Sequence, residues 1–351
     1  MADLAVTRCA EPLIRKTSTY TVLGFAGYGV ASLLGAALFV AWQLPLVDRV
    51  IAAFAPPLAL LAVVKLVRAI AGVERIVFYR IAVTGVLAAG LLDLALGSEP
   101  ARVVDVATAG IGAFLVLGRL GCFAVACCHG RPARFGVVYG PAHVRVGFWA
   151  RWTGRRLWPT QLVESAVSLA LVAAALVAGW DRPGLPALIY ILGYAPLRFA
   201  LELVRGDAAR PLRLGVSEAQ WIALASVIAC AIWRPGWVPI TEAAALALAV
   251  ALLASCRRRR ELFLPHHLVE LDLTCTAAAR SSERAETSLG IAVSCHPLPD
   301  GRTDWVLSSS HPNWSTSTAS RLADLMWPHH ELVEGRLPGV AHIIVGPAAS
   351  G

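Results

Sequence analysis

Charge is what this sequence has least of. Of its 351 residues 15% are charged and 57% hydrophobic, and the mean hydropathy is +0.64. A soluble domain of this length carries about a quarter charged residues, so the deficit argues for lipid as solvent. Cysteine is present but unframed. Cys9, Cys122, Cys127, Cys128, Cys230, Cys256, Cys275 and Cys295 show no even spacing, and several fall inside apolar runs, which argues against a disulfide scaffold. The N-terminus has no short apolar core followed by a small-residue cleavage site, so no removable signal peptide is expected. The formal net charge of +8 sits on arginines scattered between apolar runs, not on one amphipathic face. Anionic lipid head groups suit that pattern better than nucleic acid, and no nucleic-acid partner is expected.

What the sequence has instead is long apolar runs. They fall near 19–42, 45–67, 76–96, 103–125, 160–180, 185–204, 217–233 and 238–256. A bilayer core of roughly 30 Å takes about 20 helical residues, and backbone groups in hydrocarbon must bond within their own segment, so the runs read as helices. The expected fold is an all-α polytopic membrane protein with seven or eight transmembrane helices. Pro56-Pro57 interrupts the second run and the seventh is short. After Arg257–Arg260 the composition becomes mixed. Residues 1–256 are therefore expected to form the transmembrane domain and 257–351 a small α+β, or partly disordered, soluble extension. In it ELDLTC and IAVSC read as strands, PLPDGRTDW as a turn, TASRLADLMW as a helix and AHIIVG as a last strand. The pairs His266-His267 and His329-His330 lack ligand spacing and read as surface or loop residues.

Arginine is distributed unevenly between the links. Arg8, Arg15 and Lys16 precede the first run, Lys65, Arg68 and Arg75 follow the second, six arginines lie in 126–158, and Arg205, Arg210 and Arg213 follow the sixth. The alternate links carry Arg49, Arg102, Arg182 and Arg234. With eight spans the positive-inside rule puts both termini in the cytoplasm.

Some charges lie inside the apolar runs. Arg119 ends the fourth, and Arg198 and Glu202 occupy the second half of the sixth. Ionisable groups there cost a few kcal/mol each unless paired or solvated, which makes them functional candidates. Arg198, Glu202 and Arg205 are spaced to share one helix face, with Tyr194 one turn before. The face is net positive, and guanidinium forks match a phosphodiester; structural pairing with snorkelling to the interface explains the same spacing. In WPTQLVESA, Thr160 reads as a helix N-cap and Glu164 as a first-turn acid, so capping alone accounts for Gln161 and Glu164.

Three motifs together resemble the prolipoprotein diacylglyceryl transferases. GRLGCFAVACCHGR, residues 118–131, is similar without a gap to G-R-x-G-N-F-x-N-x-E-x-x-G-R, matching at Gly118, Arg119, Gly121, Phe123, Gly130 and Arg131. WPTQLVESA resembles H-P-x-Q-L-Y-E-A at Pro159, Gln161, Leu162, Glu164 and Ala166. YAPLRFALELVR resembles Y-G-x-x-R-F-x-x-E-x-x-R at Tyr194, Arg198, Phe199, Glu202 and Arg205. The resemblance spans roughly residues 20–235, in order, and leaves out the tail.

It implies a transferase of the bacterial plasma membrane, working in lipoprotein biosynthesis. Such an enzyme moves the diacylglyceryl group of phosphatidylglycerol, or a related anionic phospholipid, to the cysteine thiol of a lipoprotein precursor. By resemblance Arg119, Arg198 and Tyr194 are catalytic, the two arginines clamping the phosphate and Tyr194 orienting it. Arg131, Gly121, Gln161, Glu164, Glu202 and Arg205 bind the phospholipid or hold the charged face. The resemblance also puts the signature on the outer side of the membrane, against the arginine count; one span fewer reconciles the two.

The departures are specific. The signature's asparagines are Cys122 and Val125, its glutamate is Cys127, and the histidine before the proline is Trp158. Ala195 stands where the family has glycine, and YRIAVTGVLAAGLLD lacks the family's histidine, a candidate base for the acceptor thiol. Cys122, Cys127, Cys128 and His129 stand as possible reactive thiols or base, with packing thiols as the plain alternative. Adjacent cysteines wrap an ion poorly, so no metal and no cofactor is assigned. Two alternatives to the enzyme remain: a non-catalytic protein that binds anionic lipid, and a thiol-based membrane redox or metal protein.

Overall fold

A computed structural model describes residues 7–8, 13–14, 17–71, 78–208, 212–327 and 329–346. Cys9, Arg15, Lys16, Arg75, Arg210 and the start of the third apolar run lie outside the described residues. The chain divides into two compact units, Met1–Arg205 with Val216–Ala251, and Gly206–Gly215 with Leu252–Gly351.

The first unit is built on helices α1 (Thr19–Ala41), α2 (Leu46–Ala71), α3 (Phe78–Ala95), α4 (Ala101–Ala124), α5 (Thr160–Gly179), α6 (Leu185–Val204), α7 (Glu218–Trp233) and α8 (Trp237–Ser255). Among the described residues, six helices are long and apolar enough to cross a membrane: α1, α2 over 46–63, α4, α5, α6 and α8. The apolar stretches in α3, Ala82–Ala95, and α7, Glu218–Trp233, are shorter. At 1.5 Å per residue the 16 residues of α7 rise about 24 Å, less than a hydrocarbon core. The expected seven or eight spans thus meet six helices of spanning length.

Helix α4 is central, packing against α1, α2, α3, α5 and α6. Small residues permit this. A Cβ added at Gly112 would lie 2.4 Å from Val172 Cγ2 and 2.6 Å from Tyr190 Cε2, so α4, α5 and α6 cross where no larger residue fits. Pro56 and Pro57 lie inside α2 without ending it, and Gly85 of α3 comes close to Pro56. Buried Asp105 of α4 accepts from the backbone N–H groups of Gly184 (2.8 Å) and Ala187 (3.0 Å). A carboxylate from one helix thereby caps the start of α6.

The arginine-rich link 126–158 is a folded cap. Strand β1 (Pro132–Val138) pairs antiparallel with β2 (Arg156–Leu157), over a core of Tyr139, Phe148, Trp152 and Leu157. Gly136 has φ +146° and passes so close to the Leu157 carbonyl that a Cβ would overlap it.

The second unit is α+β. Helix α9 (Pro265–Ser281) precedes strands β3 (Ala285–Glu286), β4 (Ile291–Pro297) and β5 (Thr303–Ser309). Helix α10 (Thr316–Met326) and strands β6 (His330–Glu334) and β7 (Val340–Val345) follow. The sheet order is β6-β7-β5-β4-β3, all pairs antiparallel, with Trp305 between Cys295 and Ile343. Two expectations are corrected here. ELDLTC is helix, not strand: Leu268, Leu271, Cys275 and Ala278 are buried at spacings of three and four, while Leu273 is exposed. His267 is not a surface residue; it is fully buried, with Nδ1 2.9 Å from the Leu262 carbonyl oxygen and Nε2 3.2 Å from Thr287 Oγ1.

Candidate functional site

The three motifs, far apart in sequence, are stitched together by backbone. Gly130 N–H donates to the Trp158 carbonyl (2.9 Å), Trp158 N–H to that of Arg131 (3.0 Å), and Arg131 N–H to that of Val204 (2.9 Å). Arg131 Nε also donates to the Arg205 carbonyl at 3.1 Å. A Cβ on Gly130 would lie 2.6 Å from the Trp158 carbonyl oxygen, so glycine is required for the chains to meet.

Beneath this junction the buried charges converge. Glu164 of α5 is the hub: Arg119 Nη2 lies 2.9 Å from its Oε1, the Tyr194 hydroxyl donates to the same oxygen at 2.5 Å, and Arg198 Nε stands 3.8 Å away. Arg198 Nη2 pairs with Glu202 at 2.5 Å, and Arg205 Nη1 approaches Glu202 at 3.4 Å. Arg119, Glu164 and Arg198 are 6%, 2% and 2% exposed. Burying charges in this way costs several kcal/mol per ion unless each is paired, and here three arginines face two glutamates. Arg119 Nε, Arg198 Nε and Arg198 Nη1 are buried donors with no hydrogen-bond acceptor among the described residues. Tyr194 is flanked by Tyr190, stacked at 5.6 Å, and Tyr79, edge-on at 5.6 Å.

The capping account of the second motif does not hold. Pro159 precedes the first turn of α5 and no side chain caps it. The Thr160 hydroxyl instead donates to the Cys128 carbonyl, and Gln161 Nε2 to that of Cys127, both at 2.6 Å. Both side chains hold the chain that leaves α4. Gly121 lies against α1, where a Cβ would come 3.3 Å from Tyr20 backbone, so it makes room for a helix contact. His129 is buried, its ring edge-on to Phe148 (5.2 Å) and Trp152 (5.4 Å) in the cap's aromatic core.

Cys122, Cys127 and Cys128, which the sequence offers together as possible reactive thiols, are gathered by the structure. After α4 the chain closes with Ala126 N–H on the Phe123 carbonyl and Cys127 N–H on that of Cys122, with Ala126 at φ +56°. This is the bonding of a Schellman helix end, which brings the side chain two past the cap against the one three before it. Cys128, at φ +58°, turns in as well. The sulfurs of Cys122, Cys127 and Cys128 lie within 4.8 Å of one another. Arg119 Nη1 stands 3.9 Å from Cys122 Sγ and 3.7 Å from Cys128 Sγ. Hydrogen bonds from the Cys122 and Cys127 thiols, with Arg205 and Arg119 nearby, hold the Cys128 thiol well below the ordinary thiol range.

No curated protein matches the chain significantly. Residues 76–234, which contain all three motifs and the whole charged cluster, match the family model of prolipoprotein diacylglyceryl transferase, and it is this family that the chain resembles.

Proposed function

We propose that this chain is a transferase of the bacterial plasma membrane that moves a diacylglyceryl group from phosphatidylglycerol, or a related anionic phospholipid, to the cysteine thiol of a lipoprotein precursor. The observation that carries this is the set of unsatisfied donors. Arg119 Nε and Arg198 Nε and Nη1 are buried N–H groups in a net positive cluster. Leaving such groups unpaired costs about 1–3 kcal/mol each, and phosphate oxygens satisfy them. Fixed guanidinium groups in a water-poor site also stabilise charge as the glyceryl C–O bond breaks and the phosphate departs.

On this reading Arg119 and Arg198 grip the phosphate. Tyr194 acts through Glu164, fixing the carboxylate between the two arginines. Glu202 and Arg205 hold Arg198, Arg131 adds charge at the junction, and Gln161 holds the loop that leaves α4. Residues 1–256 are the transferase-like domain and 257–351 an extension. The six arginines of 126–158 then serve the site rather than orientation, and that cap faces the outer side.

A non-catalytic lipid-binding protein would use the same donors, and the lack of a histidine in residues 79–93 favours it. Native mass spectrometry of protein extracted from phosphatidylglycerol-containing membranes separates the two. Retained phosphatidylglycerol that disappears in Arg198→Ala, with glycerol phosphate released on adding a thiol peptide, supports the enzyme. Retention without release is the binding protein, and no retention removes the phosphate site itself.

A further inference from the structure

Two of the signature's three departures from the family fall where the three thiols meet. Cys122 and Cys127 replace an asparagine and the glutamate of the signature, and Cys128 follows directly. Spacing alone argued against a metal, because adjacent cysteines wrap an ion poorly. The turn at Ala126 supplies the missing wrap by folding Cys127 back on Cys122. The turn is held from outside: Gln161 fixes the Cys127 carbonyl and Thr160 the Cys128 carbonyl. Such outer contacts orient metal ligands.

We propose that Cys122, Cys127 and Cys128 form a three-thiolate zinc site whose open fourth position receives the acceptor thiol. The identification of the acceptor rests on the transferase reading; the zinc site itself does not. Zinc with sulfur bonds of about 2.3 Å in tetrahedral array sets its sulfurs about 3.8 Å apart. The three sulfurs already lie within 4.8 Å of one another, so a closure of at most about 1 Å, within side-chain adjustment, completes the site.

Three sulfur donors suit a soft or borderline ion, and zinc with three thiolates carries a single negative charge beside the Arg119 guanidinium. Arg119 joins the two sites: Nη1 faces the sulfurs, Nη2 holds Glu164, and Nε is among the unsatisfied donors.

This supplies what the missing histidine does not. A thiol that coordinates zinc gives its proton to solvent and remains as thiolate. Its sulfur then bonds to the terminal glyceryl carbon as that carbon's bond to the phosphate oxygen breaks, the electron pair leaving on glycerol phosphate. Nothing is oxidised or reduced.

The test is metal binding by the full-length protein in detergent, using zinc(II) and, as a visible probe, cobalt(II). The expected result is about one ion per chain with three sulfur ligands by X-ray absorption. Zinc affinity should fall at least tenfold in Cys128→Ser. It should be unchanged in Cys256→Ser, an exposed cysteine outside the cluster, and circular dichroism should show Cys128→Ser folded. A lipobox-cysteine peptide should intensify the sulfur-to-cobalt band. Arg198→Ala should keep the zinc while losing phosphatidylglycerol, whereas wild-type protein that binds zinc but retains no phosphatidylglycerol would remove the transferase reading and leave the zinc site standing. Three thiols that all alkylate in excess zinc, or an ion held by other ligands, or copper(I) bound where zinc is refused, would overturn the proposal.

Discussion

Arg119 of α4 and Glu164 of α5 meet at 2.9 Å, almost wholly buried, and the carboxylate oxygen that takes this contact also accepts the Tyr194 hydroxyl. One oxygen thus ties together a residue from each of the three motifs. Replacing Glu164 by alanine leaves two buried guanidinium groups without their shared counter-charge. Breaking a buried pair on one side costs about 3–5 kcal/mol, so Glu164→Ala should lower the melting temperature in detergent by many degrees. An unchanged melting temperature would mean that the cluster is solvated and the hub unimportant.

Gly130 is where the three chains touch. A Cβ there would sit 2.6 Å from the Trp158 carbonyl oxygen and from Trp158 Cβ. Overpacking of this kind costs about 1–3 kcal/mol, and Gly130→Ala should also separate the motifs and abolish lipid retention. Gly140 in the same cap has φ −99° and nothing within 4 Å of its Cβ position, so Gly140→Ala should behave as wild type. Equal behaviour of the two variants would contradict the junction.

Asp105 satisfies two backbone donors at the start of α6. Losing such a cap costs about 0.5–2 kcal/mol. Asp105→Ala should therefore destabilise the helical unit by about that amount, measured by thermal unfolding, with Asp105→Asn recovering part of it. Recovery beyond wild type in Asp105→Ala would show that the buried carboxylate is a net burden.

In the second unit His267 has a pKa below its ordinary 6.5, chiefly because burial disfavours the cation; His266 and His311 push the same way, while the Leu262 carbonyl and Glu270 oppose. The folded state therefore binds fewer protons than the unfolded one below about pH 6.5, so stability rises with pH there. Hydrogen exchange in residues 265–309 should be slow and constant above pH 7, once corrected for intrinsic rates. Protection should be lost as the pH falls below 6.5. Protection that grows on acidification would reverse the sign and refute the assignment.

The helices were legible because apolar length is a strong signal, and the charged residues were legible because charge in such runs is rare. What the sequence concealed was long-range. Glu164 passes locally for a first-turn acid, and only the approach of α4 and α6 makes it a hub. Asp105 looks like one more polar residue until α6 begins beside it. ELDLTC alternates like a strand, yet its buried partners sit at helical spacing. The adjacent cysteines looked unable to wrap an ion, because their meeting depends on a left-handed Ala126. One local signal was available: a helix ending at Val125 forecasts contact between the residues at 122 and 127.

The measurement that bears most directly on the central claim is transfer in proteoliposomes containing labelled phosphatidylglycerol, purified protein and a lipobox-cysteine peptide, read by the peptide's mass. The account predicts one diacylglyceryl adduct on the peptide, with equimolar glycerol phosphate released, and neither in Arg198→Ala that still folds. Folded wild-type protein that leaves both peptide and phosphatidylglycerol unmodified would contradict it.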